Sequence, residues 1–271
     1  MQPLCATGIV AEYNPFHNGH RYHAHKAKEL TGQPIIAVMS GSFMQRGEPA
    51  CLNKWQRAAL ACANGVDLVL ELPCAFSLRS AQYFAQGAVQ ALQATGCVNT
   101  LACGVETASR DFAALASRLS SSDTQSQIKQ LIQKGSSYAA ACSQALGDIS
   151  RPNDILALEY CKALQDTSIA PLFLQRLDAG YNSTEIGGIM ASATAIRRSL
   201  TQGDASWQQA VPENVRAALT STRPGYNRQL FWQLLSYRLR LLAPGQIAER
   251  CQCSEGLENL LKQAAGCSSL D

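Results

Sequence analysis

What this 271-residue chain lacks narrows its reading before any motif is considered. It has no run approaching the ~18 consecutive apolar residues of a membrane span. Its first residues, MQPLCATGIVAEYNP, have no basic region and reach Glu12 too early for a secretory signal. A cytoplasmic protein that does not engage a membrane is expected. Eleven cysteines form no C-x-x-C pair, and the single C-x-C at Cys251 and Cys253 cannot complete a zinc site. Cys62, Cys74, Cys97 and Cys103 sit in apolar runs, where a free thiol packs as a small hydrophobe. That usage fits a reducing compartment. A G-x-x-x-x-G-K-[ST] loop is also missing, which excludes a Walker-type ATPase. Net charge is only +3, so the chain as a whole does not advertise a nucleic-acid partner. With 46% apolar and 16% charged residues it is neither disordered nor fibrous. Histidine is scarce too: there are four, all between His17 and His25.

Short branched apolar runs at 4–11, 34–40, 66–72, 98–103 and 171–177 read as strands. Helical patterns separate them at 18–31, 54–64 and 80–95, with several more between 108 and 165. This alternation predicts an α/β protein with a doubly wound, parallel, five-stranded sheet. Residues 120–150 are Ser/Gln-rich and read as a helical insertion. Beyond about residue 200 the strand signals stop, and 212–219 and 226–242 look helical, with Leu230, Phe231, Leu234, Leu235 and Leu242 at helical spacing. We therefore expect a nucleotide-binding domain over 1–200 and a helical region over 201–271. The last residues, after Gly266, look like a helix beginning, so the chain is expected to be truncated there.

In doubly wound sheets a ligand sits beyond the carboxyl ends of the strands, at the point where strand order reverses. The first strand should end at Ala11–Glu12, placing the loop 13–19 at that crevice. Pro15 stiffens the loop, and Asn18 can cap a helix beginning near Gly19. His17 and His20, three residues apart, can share one side of its first turn. Gly19 removes a side chain where a ligand must approach the backbone. Two imidazoles beside an anion-attracting helix end suit attack on a nucleotide α-phosphate. From HNGH alone, ordinary polar loop residues explain the pattern equally well. A metal site from His17, His20, His23 and His25 is disfavoured, because helical zinc pairs use i,i+4 spacing. A second element, ASATAIRR at 191–198, follows the Gly187–Gly188 turn. Ser192, Thr194 and Arg197 there can hold the β- and γ-phosphates of a triphosphate.

G-x-x-x-E-Y-N-P-F-H-N-G-H with a downstream S-A-T-A-I-R resembles the H-x-G-H nucleotidyltransferase superfamily. More narrowly, the chain is similar to the bacterial tRNA(Met) cytidine acetate ligases. That match also uses SGSFMQRGEPA (40–50), NKWQRAALACANGVDLVLELP (53–73), RPNDILALEY (151–160) and LQRLDAGYN (174–182). It departs from the family pattern at Asn53, where an acid is usual, and at Asp154, where a second Asn is. The resemblance implies a Rossmann-like sheet of nucleotidyltransferase type. It also implies an AMP-forming ligase that joins ATP and acetate as acetyl-adenylate, then acetylates the wobble cytidine of elongator tRNA(Met), with Mg²⁺ as a candidate companion of ATP. The catalytic pair would be His17 and His20. The implied ATP-binding stretch is Val10, Ala11, Glu12, Tyr13, Asn14, Pro15, Phe16, His17, Asn18, Gly19, His20, Arg21, Tyr22 and His23, joined by Gly104, Asn153 and Arg176. His25 is expected at the surface.

Net charge conceals an asymmetry, since Arg216, Arg223, Arg228, Arg238, Arg240 and Arg250 face one acid, Glu249, in the window 215–250. Tyr226, Trp232 and Tyr237 lie among them, a mixture suited to RNA phosphates and bases. A solvated basic helix face explains that window equally well. Arg46, Lys54 and Arg57 are candidate tRNA or phosphate contacts, a solvated surface side chain explaining each of them at least as well, and Arg228 and Arg238 are candidate tRNA contacts. The rival activity is adenylylation of a phosphorylated small molecule in cofactor synthesis. A nucleotide-gated RNA-binding protein is a third reading, disfavoured because binding alone does not need both imidazoles.

Overall fold

The apolar runs do form strands, because each carries side chains that two helical layers can cover. In a computed structural model, the described residues are 4–136, 138–147, 149–177, 186, 188–222, 227–251, 253 and 256–268. Within them, β1 (Ala6–Ala11) leads to α1 (Asn18–Thr31), β2 (Ile35–Ser40), α2 (Lys54–Cys62) and β3 (Leu68–Leu72). After α3 (Cys74–Ser77) and α4 (Ala81–Ala94) comes β4 (Val98–Val105). Four helices follow: α5 (Phe112–Leu119), α6 (Ser122–Gln133), α7 (Tyr138–Leu146) and α8 (Pro152–Leu164). Then come β5 (Ala170–Gln175), α9 (Ala193–Gln202), a 3-10 turn (Ser206–Ala210) and α10 (Glu213–Ser221). The five strands are all parallel, in the order β3-β2-β1-β4-β5, as expected. Strand order reverses between β1 and β4, so the crevice for a ligand lies above that pair.

Alternation along the strands divides the core between two faces. Ile9, Ala37, Met39, Ala102 and Leu174 pack with Ala24 and Ala27 of α1, Ala61 of α2 and Ile196 of α9. Ile36, Val38, Leu101 and Cys103 pack on the other face with Phe84, Ala85, Ala88 and Leu92 of α4 and Tyr160 of α8. Gly8 is required by this layer, because a Cβ there would lie 2.6 Å from a methyl of Leu92. The insertion at 120–150 has its own core, Phe112, Leu119, Ile128, Leu146 and Ile149, built against Leu158 and Cys161 of α8. Of the cysteines read as core, Cys103 is buried but Cys62 and Cys74 are exposed.

Residues 4–222 belong to one compact unit and 227–268 to a second. The second contains α11 (Arg228–Leu241), α12 (Pro244–Cys251) and α13 (Leu257–Ala264). Its buried face is Trp232, Ser236 and Leu239, whereas Leu230 and Leu234 of the expected stripe are exposed. Lys262 Nζ donates to the carbonyls of Leu239, Arg240 and Leu242, satisfying the end of α11 with a cation. Arg223 and Tyr226 lie outside the described residues. No helix among the described residues is long and apolar enough to cross a membrane.

One corrected expectation explains how the loops above the sheet are tied together. Arg57, a candidate RNA contact, is fully buried. Its Nε donates to the carbonyl of Leu52 at 3.2 Å and Nη1 to that of Glu12 at 2.6 Å. Nη2 reaches the carbonyls of Ser40 and Gly41. The planar guanidinium thus joins the ends of β1 and β2 to the entry of α2, where backbone carbonyls would otherwise lack donors. Arg57→Leu removes those donors while keeping bulk. We expect it to lower unfolding free energy by about 3 kcal/mol or more, read as a reduced urea midpoint.

Candidate active site

The loop leaving β1 is folded around the first turn of α1. His17, not Asn18, is the N-cap, and it forms a reciprocal pair with His20. His17 Nδ1 accepts from the His20 backbone N–H, and His20 Nδ1 accepts from the His17 backbone N–H, both at 3.3 Å. The two rings stack with centroids 3.6 Å apart and an interplanar angle of 22°. This arrangement fixes the tautomers. With each Nδ1 used as an acceptor, a neutral ring carries its proton on Nε2. Both imidazoles are therefore hydrogen-bond donors without charge. Gly19 lines the cavity and has a second reason to be glycine: a Cβ there would lie 2.9 Å from the His17 ring. Asn18 acts as a brace, its amide donating to the carbonyls of Ile189 at 2.8 Å and Gln209 at 3.0 Å.

Burial keeps these rings neutral. It lowers the pKa of His17 to about 3, with the nearby Arg176 cation adding to the effect. His23 falls to about 4 for the same two reasons. His20 is held well below its usual range by burial first, then by His17, Arg176 and His23. Tyr13 and Phe16 wall the pair, with ring centroids 5.0 Å and 5.6 Å from His20. His25 is exposed on the outer side of α1.

The imidazoles open into a cavity of about 530 Å³ over the β1–β4 switch point. Across from them stands the N-terminus of α9, capped by Ser192, whose Oγ accepts from the Ala195 N–H. Arg197 Nη1 donates to the Asn14 carbonyl at 2.8 Å, and Nη2 lies 3.7 Å from Glu48. Asn14 Oδ1 accepts from the Cys51 N–H, while its buried Nδ2 finds no partner among the described residues. Gly104 lies beside Arg176 and His23, each within 4 Å of where a Cβ would stand. Arg176 and Arg197 bring cations to this cavity and the imidazoles bring neutral donors, a set suited to an anion, beside the lining carboxylate of Glu12.

Of the expected ATP-binding residues, Val10, Ala11, Glu12, Tyr13, Asn14, His17, Gly19, His20, Tyr22 and His23 line the cavity. So do Gly104, Asn153, Arg176, Ser192, Thr194 and Arg197. Pro15, Phe16, Asn18 and Arg21 are not among its lining residues. Phe16 belongs to the core beneath, and Arg21 is exposed. Arg46 lines the cavity, and Lys54 is paired with Glu71 at 2.6 Å. Asn53 caps α2 by accepting from the Gln56 N–H, a task an acid performs equally well. Gly187 and residues 178–185, parts of the matched motifs, lie outside the described residues.

Sequence reasoning missed Glu106. Its Oε1 accepts from Asn153 Nδ2 at 2.5 Å, and Oε2 accepts from the Asp154 N–H at 3.0 Å. Asp154 returns the contact by accepting from the N–H groups of Glu106 and Thr107. A buried carboxylate thus holds Asn153 at the cavity wall, with burial raising its pKa. The only sequence signal was position, two residues after Gly104. Asp154 fits this lock through its acceptor oxygen.

The neutral histidines carry a consequence for stability. As pH falls below ~6.5, unfolded imidazoles bind protons that the folded ones refuse until about 3 to 4. The ligand-free protein should therefore lose stability steadily from pH 7 to pH 4.5. His17→Asn, which can still cap α1, and His23→Gln should each flatten that fall in a melting-temperature series.

Comparison with known proteins agrees with this geometry. The HIGH Nucleotidyl Transferase family model matches residues 4–270. A tRNA(Met) cytidine acetate ligase of Leuconostoc mesenteroides is 40% identical, over 96% of this chain and 69% of the relative. The enzyme of that name in Anoxybacillus flavithermus is 41% identical, over the same shares. The crystal structure of apo Thermotoga maritima TmcAL superposes with a TM-score of 0.89 at 33% identity, covering 98% of this chain and 69% of that one. TmcAL bound with alpha-thio ATP gives 0.85 at 32% identity, covering 96% and 67%. The chain belongs to the tRNA(Met) cytidine acetate ligase family of HIGH nucleotidyl transferases.

Proposed function

We propose that the chain is an ATP-dependent, AMP-forming ligase whose acyl substrate is acetate and whose acceptor is elongator tRNA(Met). The observation that carries this reading is the pair of stacked, neutral imidazoles facing the N-terminus of α9 across one cavity. The relatives' names supply the substrate class. An acetate oxygen attacks the α-phosphorus of ATP, its bond to the bridging oxygen breaks, and pyrophosphate leaves with that electron pair. His17 and His20 donate through Nε2–H to phosphate oxygens as charge develops there. Arg176, Arg197, Ser192 and Thr194 receive the remaining phosphates. Gly104 allows close approach of the ribose, and Asn153, held by Glu106, addresses the nucleoside. The exocyclic amine of the wobble cytidine then attacks the acyl carbon. AMP departs, the amine proton passes to solvent, and N4-acetylcytidine remains.

Among the described residues no group of three His, Cys, Asp or Glu side chains could hold a metal. A magnesium ion accompanying the nucleotide would neutralise charge on its phosphates. For RNA, the exposed Trp55 with Lys54 5.3 Å from its ring centroid offers a stacking and phosphate contact in the first unit. Arg228, Arg238 and Tyr237, each exposed on α11, offer others in the second. ATP and tRNA meet in the cytoplasm, where we place the protein.

Incubated with ATP, radiolabelled acetate and elongator tRNA(Met), the protein should label the tRNA. His20→Asn should lower the rate by about 100-fold or more, with ATP affinity changed far less. Adenylyl transfer to a phosphorylated metabolite, with no labelled tRNA, would reject the ligase in favour of a cofactor-synthesis enzyme.

A further inference from the structure

Displacement at the α-phosphate proceeds in line, so the incoming carboxylate must stand opposite the departing pyrophosphate. If the α9 terminus and Arg197 hold the leaving group, the nucleophile enters from the opposite side. The cavity has lining residues beyond the α1/α9 face. Ile9, Ala102 and Leu174 carry it on the α1/α9 face of the sheet, but Phe84, Leu156 and Tyr160 also line it, and these pack on the α4/α8 face. Its lining therefore draws on both faces of the sheet, and its α4/α8 side is the second lobe referred to below.

The second lobe has the chemistry of a small amphiphilic anion site. Phe84 and Tyr160, buried, and the half-buried Leu156 make an apolar floor. Arg46, at the tip of the segment between β2 and α2, also lines the cavity and places a cation on the rim. That segment is hairpin-like, with Met44 and Glu48 hydrogen-bonded and Phe43 bridged to Pro49. It is fastened to the end of β1 by the Gln45 N–H, which donates to Glu12 Oε1 at 2.7 Å. The Glu12 carboxylate would repel an anion, but it is engaged by that N–H and lies near the buried Arg57 guanidinium.

We infer that the α4/α8 lobe is the carboxylate-substrate pocket, with Arg46 receiving the carboxylate and the floor around Phe84 limiting the acyl chain to a short one. The inference rests on the acetate-activating reading and adds to it where the acyl donor binds and what sets its length. Neither role was assigned to these residues by motif, and Arg46 had been expected to contact tRNA or phosphate.

The test isolates the first half-reaction. Carboxylate-dependent exchange of radiolabelled pyrophosphate into ATP is measured without tRNA, with formate, acetate, propionate and butyrate, and ATP affinity is measured separately by calorimetry. Arg46→Gln should raise the acetate KM by about tenfold and leave ATP affinity within about twofold. Phe84→Ala should shift preference toward propionate and butyrate by about tenfold or more per methylene. Should Phe84→Ala fail to fold, Arg46→Gln decides the matter, because its side chain is exposed. An unchanged acetate KM in folded Arg46→Gln protein would overturn the assignment while leaving the ligase reading intact. Wild-type protein that binds ATP but shows no exchange with any carboxylate would remove both.

Discussion

The beginning of α1 is the constraint on which the site depends. A helix leaves its first N–H groups without intrahelical acceptors, and proteins usually supply Ser, Asp or Asn. Here two imidazoles perform that task for each other. One small cycle of hydrogen bonds ends the loop, starts the helix, stacks the rings and aims both Nε2–H groups outward. The tautomer needed for binding an anion is also the tautomer that folds the turn. Removing either ring alters the chemistry and the local structure together, so the two effects must be separated by a residue that still caps.

The remaining architecture serves to keep that cycle in register with its surroundings. Asn18 links it to the backbone before α9 and to the 3-10 turn. Arg57 gathers the carbonyls beneath the neighbouring loops. Glu106 and Asp154 exchange backbone hydrogen bonds and present Asn153. All three devices bind main chain rather than paired charges. Backbone positions above the β1–β4 switch point are consequently set by directional bonds, and those of the buried Arg57, Glu106 and Asp154 are screened little by salt.

Much of this was legible because it is written in periodic signals. The parallel five-stranded sheet follows from alternation of apolar runs with helices, and α1 runs from residue 18 to 31 as its pattern predicts. The histidine motif and the α9 start come together because both follow strand ends on one edge of the sheet. What sequence could not reveal was the direction of individual side chains. Arg57 has the composition of a surface residue, yet four carbonyls draw it inward. Glu106 ends the CGVE stretch that contains Gly104, but nothing in that stretch names its partners, and its importance comes from residues almost fifty positions away. Leu230 and Leu234 look like core by spacing, but Trp232 and Leu239 occupy the buried face of α11. The second role of Gly19 was hidden as well, because ring packing cannot be read from letters.

The neutral Nε2–H donors also bear on how the enzyme lets go. Two imidazolium cations would hold phosphate-bearing products by charge at any orientation, and cellular phosphate or chloride would compete for the empty cradle. Uncharged donors attract an anion only over short distances and along their own bond directions. Once pyrophosphate or AMP shifts from the position that the stacked rings address, that part of the attraction falls away. A cradle built from capping imidazoles can thus be selective while occupied and still permit rapid clearance between turnovers.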